Sequence, residues 1–481
     1  MQVLEKDFKF LLNGEWSFSS SNQFINIYSP STGEVVGRVP AMTKDEIDKA
    51  VAGARKAQKK WEKLAVSERA KILHAWADEL VKMIDVIAPM IMNEVGKNIS
   101  TARKEVTRTA EIIRYTAEEG VRIHGEFING GSLDADSSIK TAIVEKKPLG
   151  VILAISPFNY PINLAATKIA PALIAGNAVV FKPATQGAIS GLLMIQALEN
   201  AGLPKGLVNT VTGKGSEIGD YIITHPFIDM ISFTGGTGTG QNIARKASMI
   251  PLVLELGGKD PAIVLEDADL ELAATEIVSG AFSYSGQRCT AIKRVLVLKD
   301  VAAPLIEKIK EKVEKLTVGR PEDDADITPL IDESSADFVQ GLIDDALAKG
   351  ASLITGNKRE KNLIYPTVLS NVTKDMKVAW EEPFGPVLPC IIVDSVEEAI
   401  EIANESEFGL QASVFTSNIE KAFTIASSLD VGSVQINGRT ERGPDHFPFS
   451  AVKNSGLGSQ GIRQSIISMM RDKVTVINLK K

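Results

Sequence analysis

A chain of 481 residues, with 44% hydrophobic and 23% charged side chains, is long enough for two or three packed cores. Its net charge of −7 argues against a nucleic-acid binder, whose affinity rests on clustered cations, while leaving room for a local basic pocket. Two cysteines with no close Cys/His grouping argue against a disulfide framework and a zinc site, and they suit a reducing compartment.

No uncharged run reaches the roughly 18 apolar residues of a membrane span. Residues 1–7 lack the apolar run of a signal peptide. The expectation is a cytoplasmic protein with no membrane or nucleic-acid partner, no metal and no internal repeat.

Residues 8–40 hold short strand-like runs between turn signals, Asn13-Gly14 and 29–33. Thr43-Lys44-Asp45-Glu46 is a capping box, which predicts a helix to about Trp61. Apolar spacing predicts two long helices, over 66–95 and 100–119. Runs 126–129 and 140–145 alternate like a strand pair about a turn that includes 134–138. Such a hairpin is too thin for its own core and needs something to pack on. From Gly150 strands alternate with helices: strands at 151–155, 178–181, 207–211, 230–233 and 252–255, helices at 161–175, 189–201, 216–224 and 241–247. That alternation predicts a doubly wound parallel sheet with ligands at the strands' carboxyl ends. A second α/β series follows Gly257-Gly258, with strands at 262–265, 295–298, 363–368, 390–393 and 413–415 and helices at 303–316, 335–349 and 397–404. The tail, 473–479, is one more strand, to pair with the 126–145 hairpin or with a neighbouring subunit.

Chemistry gathers at few places. Cys289 follows the small residues Ser283, Ser285 and Gly286, on a loop that can approach a substrate closely. A thiol attacks carbonyls only as thiolate, from a resting pKa of roughly 8.5. Arg288, a helix N-terminus or a bound cofactor could lower that value; a small buried hydrophobe is the competing reading. Glu255 ends an apolar strand, as a general base tuned by burial or as half of a Glu255–Lys259 salt bridge. Asn159 stands at a strand end, either an oxyanion donor or a turn residue before Pro161. Lys182 and Thr185 follow strand 178–181 with no acid between them, which leaves room for a 2′-phosphate, or Lys182 is an ordinary surface lysine. The glycines over 235–240 suit an anion or simply a tight turn. Cys390, inside an apolar strand, reads as structural.

Six stretches resemble the NAD(P)-dependent aldehyde dehydrogenase superfamily, in its order and along nearly the whole chain. They are Pro157-Phe158-Asn159-Tyr160-Pro161, Lys182-Pro183, Phe233-Thr234-Gly235, Glu255-Leu256-Gly257-Gly258, Gly286-Gln287-Arg288-Cys289 and 381–386. Further runs, 154–161, 170–177, 215–221, 284–291 and 326–332, resemble its non-phosphorylating glyceraldehyde-3-phosphate branch. The resemblance implies an α/β fold: a doubly wound parallel sheet in a cofactor-binding domain (1–125 and 150–257), a second α/β catalytic domain (258–435) and a small β oligomerisation arm (126–149 and 455–481). It implies Cys289 as nucleophile, Glu255 as base and Asn159 as oxyanion donor. A cofactor would be held by Ser156, Lys182, Thr185, Thr234, Gly235, Gly236, Glu382 and Phe384, with Lys182 and Glu382 on its two riboses. Thr185 stands where NAD-preferring relatives commonly carry Glu, which points to NADP. Gly236 stands where many carry Ser, so backbone donors would serve the cofactor phosphate. Arg108, Tyr160, Arg288 and Arg442 match the positions that hold the substrate phosphate. The implied activity is oxidation of D-glyceraldehyde 3-phosphate to 3-phosphoglycerate without inorganic phosphate, through a thiohemiacetal and a thioester, in a homotetramer. Oxidation of another small aldehyde is the alternative. Delivery of the acyl group to CoA is disfavoured by Glu255.

Overall fold

The computed structural model describes residues 6–133 and 136–479, so the turn expected around residue 134 lies in part outside the described residues. The first of its two large sheets has six strands. Their order is Gly456–Leu457, Leu252–Glu255, Met230–Thr234, Val151–Ile155, Ala178–Lys182 and Val208–Thr210. All run parallel except Gly456–Leu457, which lies antiparallel on the Leu252–Glu255 edge. The central strands are buried on both faces, which is why they read as continuous apolar runs.

Helices Lys44–Trp61, Val66–Lys82, Ile84–Val95 and Ile99–Gly120 share a core with this sheet. Trp61 and Trp76 lie deep in it and donate their indole N–H groups to the Leu173 and Met194 carbonyls, so neither loses a hydrogen bond to burial. The periodic stretch 66–95 is two helices, not one. Met83 departs from helical geometry (φ −90°, ψ 9°) between them. Apolar spacing alone does not register such a change of direction, because both helices bury one face in the same core.

The second sheet has seven strands, in the order Ser352–Thr355, Thr367–Ser370, Val387–Val393, Arg294–Leu298, Pro261–Val264, Gln411–Phe415 and Ser433–Ile436. Only Ser352–Thr355 is antiparallel to its neighbour. Alternate residues face separate cores. Ile263, Leu296 and Ile391 meet helices Glu333–Ala348 and Val396–Glu405. Ala262, Val295 and Cys390 meet helices Leu270–Phe282 and Lys299–Val313.

Helices Leu270–Phe282 and Ile419–Ser428 and the edge strand Ser433–Ile436 are additions to the sequence expectation. The first is capped by Asp269 alone, which accepts from the Glu271 and Leu272 amides without the glutamate of a capping box. The strand expected over 363–368 is split. Leu363–Ile364 pairs with Arg359–Glu360, and only Thr367–Ser370 joins the sheet, because Pro366 between them has no N–H to give.

Glu126–Asn129, Lys140–Pro148 and Met470–Asn478 form a three-stranded antiparallel arm. The tail strand therefore pairs within its own chain. Of the rest of 455–481, helix Ile462–Ser468 packs into the first core through Ile462 and Ile466. No helix among the described residues is long and apolar enough to cross a membrane.

The chain passes from the first sheet to the second through residues 256–260. A Cβ on Gly257 would lie 2.2 Å from Glu382 Oε2, so any other residue here would push the Glu382 carboxylate out of its place.

Cys390 is fully buried, and burial pushes its thiol up to about 12. Cys390→Ser would put a hydroxyl among apolar side chains, at a cost of about 1–3 kcal/mol. Thermal unfolding should show a lower Tm, with the specific activity of the folded protein unchanged.

Candidate active site

A cavity of about 810 Å³ opens at the carboxyl ends of the first sheet's strands and reaches Cys289. Its wall follows the strand ends in turn: Ser156 and Asn159, then Lys182 and Ala184, then Thr234, Gly235 and Gly236, with Glu382 and Phe384 opposite. This is the crevice that a doubly wound sheet offers to ligands.

One part of the wall suits a ligand rich in anions and hydroxyls. Among the described residues Lys182 is buried with no carboxylate partner; its Nζ meets the Pro183 carbonyl at 3.4 Å, and burial pushes it down to about 8. Ser156 Oγ is buried without a partner. Helices Thr237–Lys246 and Gly215–Ile223 both open into the cavity without a side-chain cap; the Thr239 and Glu217 amides bond back to the Gly236 and Lys214 carbonyls, and the two amides before each are open to an anion. The glycine run is partly helix, starting at Thr237. Gly240 serves packing, since a Cβ there would lie 2.3 Å from Leu256 Cδ2. Thr185 stands half-buried next to Ala184. Phe384, at φ 46°, packs edge-on to Phe158 with ring centroids 5.9 Å apart. These residues fit a dinucleotide with an extra phosphate. Gly215 and Ser216 escape sequence reading because an uncapped helix start has no signature.

The other part surrounds Cys289, which is half-buried on the cavity wall. Its loop is strained: Tyr284 and Ser285 hold φ of 52° and 53°. The Tyr284 hydroxyl donates to the Val95 carbonyl at 2.8 Å, and Ser285 Oγ donates to the Thr328 carbonyl at 2.8 Å, which keeps the turn in place. Asn159 Nδ2 donates to the Gln287 carbonyl at 2.9 Å, leaving one amide hydrogen for a ligand.

Glu255 is buried, and apart from the Cys289 thiol that it faces its carboxylate has no hydrogen-bond partner among the described residues. Lys259 Nζ also lacks one, so the Glu255–Lys259 salt bridge does not form. Burial first, then the charge of Glu255, push the Cys289 thiol well above its ordinary value, while Lys293 pulls it down. Lys168 is a further buried group here. Its Nζ donates to Thr234 Oγ1 at 2.6 Å, and burial pushes it down to about 7, with Arg442 acting the same way and Glu255 and Cys289 opposing. The available signal for Lys168 was the one charged residue in the largely apolar helix Asn163–Ala175.

The four residues matched to a substrate phosphate come together only in part. Arg108 binds Asp445 through two hydrogen bonds of 2.9 Å and also donates to the Arg442 carbonyl. Arg442 donates to Gln460 Oε1 at 2.7 Å, and burial lowers it against the opposing pull of Glu255, Asp445 and Cys289. The Arg288 guanidinium turns to the Gly280 carbonyl, with its Nε buried and unpartnered. Tyr160 lies under the Lys97 ammonium, 3.6 Å from the ring centroid. Lys97 pairs with Glu105 in a fully buried salt bridge, and Glu105 also accepts from the Ile162 and Asn163 amides. Removing one member of such a pair costs about 3–5 kcal/mol, so the Tyr160 loop is firmly seated.

The thiol's raised pKa has a direct consequence. Without ligands, alkylation of Cys289 by iodoacetamide should be slow near neutral pH and still rising above about pH 9. Glu255→Gln removes the nearby anion and should shift that midpoint downward. A wild-type plateau below about pH 8 would contradict the geometry.

The Aldehyde dehydrogenase family profile matches residues 16–475. An NADP-dependent glyceraldehyde-3-phosphate dehydrogenase of Streptococcus equinus is 56% identical over 99% of this chain and 100% of its own. One from Nicotiana plumbaginifolia is 53% identical over 100% of this chain and 97% of its own. The crystal structure of NADP-dependent glyceraldehyde-3-phosphate dehydrogenase from Bacillus halodurans C-125, complexed with NADP, superposes with a TM-score of 0.98 at 59% identity, covering 98% of this chain and 100% of that one. With its sheets, its cavity and its full-length relatives in agreement, the chain belongs to the aldehyde dehydrogenase family.

Proposed function

We propose that the chain oxidises D-glyceraldehyde 3-phosphate to 3-phosphoglycerate with NADP and without inorganic phosphate. The observation that carries this reading is the facing of Cys289 and a buried Glu255 carboxylate that no cation pairs, with Cys289 in the wall of a cavity that also holds a buried Lys182 without a carboxylate partner among the described residues. Full-length similarity to NADP-dependent glyceraldehyde-3-phosphate dehydrogenases supports the substrate and the cofactor.

In this reading Glu255 accepts the Cys289 proton as the sulfur attacks the aldehyde carbon. The remaining amide hydrogen of Asn159 and the Cys289 backbone N–H stabilise the oxyanion of the thiohemiacetal. NADP, held by Ser156, Lys182, Thr185, the 234–236 turn, Glu382 and Phe384, supplies the acceptor for the departing hydride. The thioester that remains is hydrolysed when Glu255, its first proton passed to solvent, takes one from water; the thiolate of Cys289 leaves. Arg442, within electrostatic reach of Cys289, holds the substrate phosphate with Arg108, Tyr160 and Arg288. Arg108 then exchanges or shares its Asp445 partner.

Residues 1–125 and 150–257 serve as the cofactor-binding domain and 258–435 as the catalytic domain. The arm leaves Phe127, Val474 and Val476 more than half exposed, at 69%, 55% and 54%, which supports its use as an oligomerisation surface in a cytoplasmic homotetramer.

The test is steady-state absorbance of reduced cofactor with D-glyceraldehyde 3-phosphate, without phosphate or arsenate. Sustained turnover with NADP is expected. Turnover only with an unphosphorylated aldehyde would overturn the substrate, and turnover only with NAD would overturn the cofactor. Arg442→Ala should raise KM for the phosphorylated aldehyde by about 10²-fold, the worth of a charge-assisted contact, and change KM for glyceraldehyde far less.

A further inference from the structure

We infer that Lys293 is a positioning residue: it ties the Cys289 loop to Glu382 by holding the Cys289 carbonyl and the Glu382 carboxylate together, and adds a cation to the field at Cys289. This rests on the reading of Cys289 as nucleophile and Glu382 as a cofactor contact.

Lys293 lies four residues after Cys289, just before strand Arg294–Leu298. Its side chain is 1% exposed. A buried ammonium costs several kcal/mol unless it is paired and hydrogen-bonded. Here it is both. Its Nζ lies 3.0 Å from Glu382 Oε1 and donates to the Cys289 carbonyl. Its backbone N–H donates to the Asp260 carbonyl at 3.0 Å. Glu382 Oε1 also accepts from the Gly258 N–H at 3.2 Å.

One lysine therefore joins three segments that are distant in sequence: the 257–260 crossing between the sheets, the Cys289 loop and the Glu382 loop. Two consequences follow. Without the ammonium, the Glu382 carboxylate keeps a single backbone donor among these contacts and is free to leave its place in the cavity wall. The fields of the pair also act on Cys289 with opposite signs, Lys293 favouring the thiolate and Glu382 the thiol.

The other charges facing Cys289 are Glu255 from strand Leu252–Glu255, Lys168 from helix Asn163–Ala175, and Arg442. Those acting with Lys293 are Glu382, Asp260 and Lys259. None of these others bridges the two loops in this way among the described residues.

The experiment compares Lys293→Met and Glu382→Gln with the unaltered protein in two measurements that involve no aldehyde. One is the pH midpoint of Cys289 alkylation by iodoacetamide, located by peptide mass. The other is NADP affinity by titration of intrinsic fluorescence. Lys293→Met should raise the midpoint by about one pH unit. Glu382→Gln should lower it. Both should weaken NADP binding by about tenfold.

Opposite shifts in one readout with parallel shifts in the other support the positioning role. Equal or absent midpoint shifts would mean that Lys293 only fills space, and would overturn it. If Lys293→Met does not fold, Glu382→Gln decides alone: an unchanged or raised midpoint overturns the inference. Failure of the glyceraldehyde-3-phosphate assignment would leave both readouts intact. Failure of Cys289 as nucleophile would show as turnover that survives its alkylation.

Discussion

Close packing of Gly257 against the Glu382 carboxylate and of Gly258 against the Cys289 carbonyl is the constraint on which the site depends. A Cβ at the first would collide with Glu382, and one at the second would lie 2.7 Å from Asp260 Oδ1 and 3.2 Å from the Cys289 carbonyl. Because neither exists, the chain crosses from one sheet to the other in contact with both loops. Glu255, at the end of the first sheet, and Cys289, on the loop before a strand of the second, are thereby brought face to face. The two sheets have separate cores, so this narrow crossing sets the relation between the proposed base and the proposed nucleophile.

Buried charge then gives the crossing its chemistry. Lys168, Lys182, Lys259, Lys293 and Arg294 are all nine-tenths buried or more, against Glu255 and Asp260. Desolvation dominates each shifted group among them: Lys168 and Lys182 are pushed down, and Asp260 is pushed up to about 7. A buried carboxylate that no cation pairs, and buried ammonium groups such as Lys182 and Lys259 without a carboxylate partner among the described residues, are costly in the absence of ligand. Their persistence beside one cavity is the physical argument that the site is built for a charged ligand rather than for stability. In the proposed mechanism the same low-dielectric surroundings strengthen the few donors aimed at the oxyanion.

Much of this was legible in the sequence, for identifiable reasons. Parallel strands buried on both faces leave unbroken apolar runs, so the alternation from Gly150 onward revealed the sheet and the strand ends where Ser156, Lys182 and Thr234 now line the cavity. What stayed hidden has no local signal. Lys293 looks like an ordinary lysine until tertiary packing buries it. Arg108 finds Asp445 across 337 positions. The tail was legible as a strand and its partner as one of two, the 126–145 hairpin or a neighbouring subunit; only the fold selects Lys140–Pro148 of the same chain. The split at Met83 and the helix Leu270–Phe282 were masked by a periodicity that spans a break and by a single-residue cap.

The central claim is that a covalent thioester forms on Cys289 and waits for Glu255 to activate water. It is tested most directly by mixing Glu255→Ala protein with D-glyceraldehyde 3-phosphate and NADP, following reduced cofactor on the millisecond scale and then quenching for intact-protein and peptide mass. The account predicts one burst of reduced cofactor per active site, followed by a stall, with the mass of the phosphoglyceroyl group on the peptide that carries Cys289. Sustained turnover in this variant, or a burst that leaves Cys289 unmodified, would contradict it.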